Sequence, residues 1–355
     1  MAYTLIYADL GASVLPDCVP RQLAQEVETL YGNRYSTLDY IAVYDDLEPT
    51  GAVMLERPRH VLLFAVRGRT IEVLTRRMSI APEDARRAVR ALLRAFPSTT
   101  RIHLEVLFPP HDLGLPARIL SSADDMVIRL PSDLNGYLAS LGASTRRNLR
   151  TYENRLRRAF PDVSTEILEV GDRAEELFDV YLAWKRPRLA AQGRSVYFDV
   201  LPDRKRRFVE LLRRRGEAHI TSVEGRTVAV VFTFPVGPGC CLAQYAYDPD
   251  LDYYHLGLLT QYWTIADAIA RGMRQMSLLP GTSYYKERLG AVPERGTHLS
   301  VFPSQFARLH SAEEAWEVGR RRLRQRSSTA YWGARHRVRE LAGSLLPRAG
   351  GGQSR

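Results

Sequence analysis

Two hydrophobic periods alternate along this chain, and the switches between them mark its elements. Leu5–Ala8, Leu38–Tyr44, Ala52–Leu55, Val61–Val66 and Ile71–Leu74 are short apolar runs punctuated by Gly or Pro, which predicts strands. Arg67-Gly68-Arg69 between two of them predicts a tight hairpin. Pro20–Tyr31 reads as a helix. A second helix follows Pro82, a residue the first helical turn accepts, with Ala85, Ala88, Val89, Leu92, Leu93 and Phe96 at helical spacing up to Pro97. Ile102–Phe108 is then a strand, and 109–116 a loop leading to a boundary near residue 123.

From Asp124 the pattern starts again. Met126–Leu130 predicts a strand and Pro131–Leu141 a short helix. Ser144 is placed to cap a longer helix, Thr145–Ala159, with Leu149, Tyr152, Leu156 and Phe160 on one face. Its other face carries Arg146, Arg147, Arg150, Arg155, Arg157 and Arg158, either a solvated face or a surface for phosphate or an acidic partner. Val163–Glu169 is a strand, and helices follow over Ala174–Arg188 and Asp203–Arg215. A three-strand meander comes next: Ala218–Val223, Val228–Phe234 and Cys240–Tyr247. The last of these leads through a tyrosine-rich loop, Asp248–Leu256, into a helix opening at Gly257, then a strand, Gln275–Leu279, and the segment Gly281–Gly290. Strand, loop, helix, strand is a βαβ unit, a common frame for a phosphate-bearing ligand, because amides at the helix start point at it. Thr297–Phe302 is the final strand.

Length and composition set wider bounds. With 355 residues the chain is long enough for two cores, and 45% hydrophobic with 25% charged residues is ordinary for a globular protein. No apolar run is long enough to span a bilayer, and Met1–Leu10 lacks a basic leader segment. Cys18, Cys240 and Cys241 are too few for a disulfide framework, so reduced thiols in the cytoplasm are expected. A net charge of +10 favours an anionic partner, although the excess is diffuse and arginine-heavy. Only three of the 50 basic residues are lysines: Lys185, Lys205 and Lys286. Where arginine is the default cation, a lysine marks a place for a compact or neutralisable ammonium. The basic tail, 311–347, predicts an amphipathic helix packed on its own domain or touching a membrane or partner, and 348–355 reads as disordered. No Cys or His spacing suggests a metal site, and no serine–histidine–acid set stands out.

Four stretches in this order resemble the GNAT acyltransferases, and within them the FemAB-like subfamily of Fem-type peptidyltransferase relatives. They are Ser144-Thr-Arg-Arg-Asn-Leu149, Tyr181-Leu-Ala-Trp-Lys185, Tyr254-His-Leu-Gly-Leu-Leu259 and Gly281-Thr-Ser-Tyr-Tyr-Lys286. The resemblance implies an α/β fold of mixed sheets in two tandem GNAT-like lobes. The N-terminal lobe, 1–123, would be a degenerate copy, and 124–310 the acyltransferase domain. It implies N-acyl transfer from acyl-CoA or an acyl carrier protein to an amine of an amino acid, peptide or amino sugar, in cell-envelope, polysaccharide or natural-product biosynthesis. Transfer from aminoacyl-tRNA is the alternative, though the long coiled-coil insertion of many tRNA-using Fem-type enzymes is not seen. A catalytically silent scaffold is the other. Two positions depart from the family pattern: Ser277 stands where an aspartate is usual, and Gly257 is the loop's single glycine.

The resemblance also assigns roles. Gln244, Tyr245, Ala246 and Tyr247 would offer unpaired backbone to a pantetheine arm, and the amides of His255, Leu256, Gly257, Leu258 and Leu259 would face a diphosphate. Acyl transfer needs a deprotonated amine, donors for the oxyanion and a proton for the leaving group. Lys286, past a strand end where open α/β sheets bind ligands, is the leading candidate for oxyanion or proton chemistry, against a plain surface lysine. Tyr284 and Tyr285 are candidate proton donors, of which one at most faces the chemistry. Asp248 could receive the amine proton or simply form an Asp-Pro turn, and His255 is an alternative base. Trp184, Lys185, Arg188, Gly281 and Ser283 are expected around the acceptor, with Trp184 also fitting a core position.

Overall fold

The structure is a computed structural model that describes residues 3–309 apart from Asp46, so the tail expected to be helical over 311–347 and the segment 348–355 lie outside the described residues. Its strands are β1 (Leu5–Tyr7), β2 (Ala12–Leu15), β3 (Gly51–Glu56), β4 (Arg59–Arg67), β5 (Thr70–Val73), β6 (Arg101–Val106) and β7 (Ala117–Arg129). They continue with β8 (Ser164–Glu169), β9 (Glu217–Val223), β10 (Arg226–Val236), β11 (Gly239–Tyr247), β12 (Gln275–Pro280) and β13 (Val292–Val301). All belong to one mixed sheet, in the order β1-β2-β3-β4-β5-β6-β13-β7-β12-β11-β10-β9-β8.

That order contains the same unit twice. In the first half β3, β4 and β5 run antiparallel, and a helix then carries the chain to β6, which pairs parallel with β5. In the second half β9, β10 and β11 repeat the meander, and a helix leads to β12, parallel to β11. The two halves interlock at the centre. β13, from the end of the described chain, lies between β6 and β7, pairing from Val292↔Val127 to Val301↔Ala117 with β7 and from Thr297↔Val106 to Val301↔Ile102 with β6. The boundary expected at residue 123 therefore falls inside β7, a strand shared by the join.

Helices α1 (Arg21–Tyr31), α2 (Leu38–Tyr40), α3 (Pro82–Ala95), α4 (Leu134–Ser140) and α5 (Ala143–Ala159) come before β8. After it come α6 (Ala174–Ala190), α7 (Tyr197–Val200), α8 (Pro202–Arg215), α9 (Leu256–Ala270) and α10 (Tyr284–Arg288). The first core packs α1 and α3 on the N-terminal half-sheet through Val27, Ala85, Ala88 and Leu92. In the second half α4, α5 and α9 cover one face through Tyr137, Leu149, Leu156, Leu259 and Ile265. The other face is covered by α6 to α8, where Phe178 sits among Tyr181, Phe198, Phe208 and Phe232 at ring-centre distances of 5.1–6.3 Å.

Two local expectations are overturned. Leu38–Tyr44 is not a strand: it is α2 continued by a π-helical turn, Ile41–Asp45. The Thr37 hydroxyl accepts from the Tyr40 amide and caps it, and Tyr40 stacks on Tyr44 at 4.7 Å, a helical i,i+4 contact. Ile41 and Val43 alternate in burial because they enter two different cores. Ser144 does not cap α5 either; Gly142 takes the cap position and the helix begins at Ala143. On the arginine face of α5, Arg146 binds the last carbonyls of α4, Arg155 lies 4.6 Å from the Tyr253 ring centre, and Arg157 pairs with Glu153, while Arg147, Arg150 and Arg158 are exposed.

Because Phe178 is fully buried at the centre of the ring cluster that fixes α6, Phe178→Ala is expected to lower the unfolding free energy by about 3–5 kcal/mol in urea melts, as large-to-small core changes do. A loss below about 1 kcal/mol would mean that the cluster does not anchor this helix.

Candidate active site

The site begins where a parallel strand pair stops pairing. β11 and β12 are joined only at Gly239↔Gln275, Cys240↔Met276 and Cys241↔Ser277. Beyond that rung β11 runs on to Tyr247 while β12 turns away, leaving a fork. Side chains set the turn. The Ser277 hydroxyl donates to Asp125 Oδ2 at 2.9 Å and accepts from the Leu279 amide at 3.1 Å. Leu279 lies in the left-handed region, at φ +67°, a conformation that a non-glycine residue holds only when its neighbours enforce it. Lys286, buried, enforces it: its Nζ donates to the carbonyls of Leu279, Pro280 and Gly281 at 2.8, 3.2 and 2.9 Å. Burial lowers its pKa, with Asp125 and Cys241 acting in the opposite sense.

These contacts explain the Ser277 departure. Asp125 on the neighbouring strand supplies a buried carboxylate one hydrogen bond away, and a second carboxylate at position 277 would face it at close range. They also change the reading of Lys286. With three carbonyls on its three N–H bonds, it holds the fork open rather than meeting an oxyanion.

The fork opens into a crevice of about 490 Å³, walled by α6, the 192–198 segment, β11 and the end of β12. It continues past Arg188, Tyr245, Gln261 and Tyr285 to a shallower end at the start of α9. Lys185 projects into it from α6, held in reach by the aromatic cluster beneath that helix. Its Nζ donates to the Tyr245 carbonyl at 3.3 Å and lies 5.0 Å from the Tyr245 ring centre. Burial, with the nearby charges of Arg188 and Arg194, lowers its pKa to about 8. Every charged residue lining the main crevice is a cation: Lys185, Arg188, Arg194 and Lys286.

The remaining expected residues divide between crevice and scaffold. Gln244 lines the crevice and accepts from the Tyr181 hydroxyl at 2.8 Å. Tyr245 and Tyr285 face each other across it at 6.1 Å, and burial raises the Tyr285 pKa so that its hydroxyl stays protonated at neutral pH. Tyr284 is exposed and does not line the crevice, whereas Tyr285 does. Arg188 stands 4.9 Å from the Tyr247 ring centre at the passage to the shallow end. His255, Gly257 and Leu258 line that end, where the His255 ring stacks on Tyr152 at 3.8 Å. Ala246, Leu256 and Leu259 belong to the cores, and Trp184 packs against the third core without lining the crevice. Asp248 is a turn residue: it accepts from the Asp250 amide and pairs with Arg226 at 2.9 Å, outside the crevice. Gly281 and Ser283 form the bend before α10, and Gly281 contributes only its carbonyl to Lys286. Cys240 and Cys241 are buried, and burial raises both thiols, Cys241 to about 11.

At the start of α9 the Tyr247 ring packs against the helix opening. A Cβ on Gly257 would lie 2.2 Å from the Tyr247 ring, so the glycine is there to admit that ring. The Tyr247 hydroxyl donates to Asp252 at 2.7 Å, and the amides of Leu258 and Leu259 already donate to the His255 carbonyl. Sequence reasoning missed Gln261. It is buried, its Nε2 donates to the Gly257 carbonyl at 2.7 Å, and its Oε1 has no partner among the described residues. The signal available was a lone amide amid the apolar residues of α9. Arg194 was missed too, and its loop gives no periodic signal.

Residues 143–287 match the family described as an acetyltransferase (GNAT) domain. Two solved structures share the whole fold. FemX superposes with a TM-score of 0.61 at 10% identity, covering 84% of this chain and 99% of that one. A conserved protein from Bacteroides thetaiotaomicron VPI-5482 superposes with a TM-score of 0.54 at 13% identity, covering 80% and 98%. No curated protein matches the sequence. Among the described residues no helix is long and apolar enough to cross a membrane.

The two lysines should separate in stability measurements. Lys286→Met leaves three carbonyls without their donor and is expected to lower the unfolding free energy by about 1–3 kcal/mol. Lys185 has a folded pKa near 8 against an ordinary 10.5, so its charge costs stability below pH 8, and that cost is relieved as the pH rises towards 10.5. Lys185→Met should therefore be more stable than the wild type near neutral pH, by about 1–3 kcal/mol, with the difference shrinking in alkali. Denaturant melts at both pH values check this, and equal losses from the two variants would contradict it.

Proposed function

We propose that this protein is an N-acyltransferase that moves an acyl group from a thioester, carried by coenzyme A or an acyl carrier protein, to the amine of an anionic acceptor. The carrying observation is the open edge of β11 beside Lys185, in a crevice whose charged walls are all cationic. That charge selects substrates bearing carboxylate or phosphate, as an amino acid, peptide or phosphorylated amino sugar does, and Arg188 and Arg194 are the groups suited to grip them.

The chemistry follows from where the protons must go. The amine nitrogen attacks the thioester carbonyl, a C–N bond forms, and charge develops on oxygen. Collapse breaks the C–S bond. The Lys185 ammonium stabilises the oxyanion, gives its proton to the departing sulfur, and as a neutral amine takes the proton that the new amide nitrogen must lose. A pKa of about 8 suits both transfers near neutral pH. The protonated Tyr285 hydroxyl is a second donor at the same wall, and the unpartnered Gln261 Oε1 accepts an N–H from either substrate.

The start of α9 favours a second reading, transfer from aminoacyl-tRNA, because its single glycine is taken up by the Tyr247 ring and no glycine-rich loop suited to a diphosphate is present there. Incubation with acyl-CoA, acyl carrier protein and aminoacyl-tRNA, each with a panel of anionic amines, separates the donors. With the productive pair, Lys185→Met should lower kcat by about 10²–10³ with KM little changed. It should also abolish the fall in wild-type rate above about pH 8, where Lys185 loses its proton. An unchanged rate and pH profile would remove Lys185 from the chemistry.

A further inference from the structure

The N-terminal half-sheet has its own version of the fork rung. β5 and β6 pair in parallel at Thr70↔Arg101, Ile71↔Ile102 and Glu72↔His103, three rungs like those of β11 and β12. The last rung in the C-terminal half is Cys241↔Ser277, with Asp125 two residues beyond Val127, the Ser277 partner on β7. Its counterpart is Glu72↔His103, with His298 two residues before Ser300, the His103 partner on β13. Thus the positions of Cys241, Ser277 and Asp125 are taken by Glu72, His103 and His298.

These three side chains share one face. Ile71, Val73, Ile102, Leu104, Leu299 and Val301 point into the first core, so strand alternation sends Glu72, His103 and His298 to the opposite side. All three are half-buried, and their donor atoms lie within 4.8 Å of one another. His103 Nδ1 is 2.7 Å from Glu72 Oε1, and the His103 and His298 rings stand nearly perpendicular, at 86° and 5.9 Å.

We propose that Glu72, His103 and His298 form a binding site for one divalent transition metal ion of the zinc class. Two imidazoles and a carboxylate from adjacent strands are the donor set such ions take, with a further position left to water. Ligands about 2.0–2.2 Å from one tetrahedral ion are about 3.3–3.6 Å apart, so an ion requires the Glu72–His103 pair, now at 2.7 Å, to open slightly and His298 to stay within the 4.8 Å that already encloses all three donors. A Glu–His hydrogen bond with a neighbouring imidazole and no ion is the alternative that the experiment decides. Arg76 and the Arg77–Glu105 pair lie nearby, so the net field is not strongly anionic and affinity has to come from coordination. The acyl-transfer crevice is not involved.

The test uses the full-length, tag-free protein stripped with a chelator and titrated with cobalt(II), whose visible absorption reports its coordination. One equivalent is expected to bind with an imidazole-type spectrum and to raise the melting temperature. His103→Gln and His298→Gln should each weaken binding by about 100-fold, and Glu72→Gln by about 10-fold, while their metal-free melts show that they remain folded. Wild-type binding no tighter than that of the two histidine variants, or no bound equivalent at all, would overturn the site and leave a hydrogen-bonded pair.

Discussion

One ammonium among three carbonyls governs the shape of this active site. Parallel strands pair along their length unless something turns one aside, and here Lys286 gathers the carbonyls of Leu279, Pro280 and Gly281 onto a single buried charge. Asp125 and Ser277 anchor the strand just before the turn, and Leu279 takes the left-handed conformation between them. The fork is thus a product of side-chain chemistry written into β12 and α10. Its consequence is an exposed backbone edge on β11, the feature that lets an extended substrate lie along a strand.

The few lysines of an arginine-rich chain take on different work. Arginine's planar fork suits carboxylate and phosphate, and Arg188 and Arg194 both line the crevice. A compact ammonium is needed where three carbonyls converge on a point, which is Lys286. A neutralisable amine suits the proton transfers proposed for the crevice, and Lys185 is the lysine placed there with a pKa lowered to about 8. Burial lowers the pKa of both; Lys286 has every donor engaged, whereas Lys185 makes a single hydrogen bond among the described residues and lines the crevice.

Much of this was legible beforehand, for physical reasons. The meander, the βαβ unit and the helix after Pro82 have strong periodicity and punctuation, and they form as expected. So does the arrest of pairing that the family resemblance implied. Leu38–Tyr44 misled because alternation from burial in two different cores imitates a strand. The roles of Lys185 and Lys286 could not be assigned from position alone, since the number of acceptors around an ammonium is a tertiary quantity. Gln261 and Arg194 were invisible as site residues because nothing local distinguishes a polar residue aimed into a crevice. Glu72, His103 and His298 come from three strands more than 220 residues apart at the extremes, so no spacing rule brings them together.

The central claim is that the fork receives the donor along β11 and presents its carbonyl to Lys185. A crystal structure with a hydrolysis-resistant thioester analogue tests it most directly. The account predicts amide groups of the analogue hydrogen-bonded to the β11 backbone between Leu242 and Tyr247, with its carbonyl oxygen within reach of Lys185 Nζ. An analogue bound elsewhere, or β11 and β12 paired along their whole length in the crystal, would contradict it.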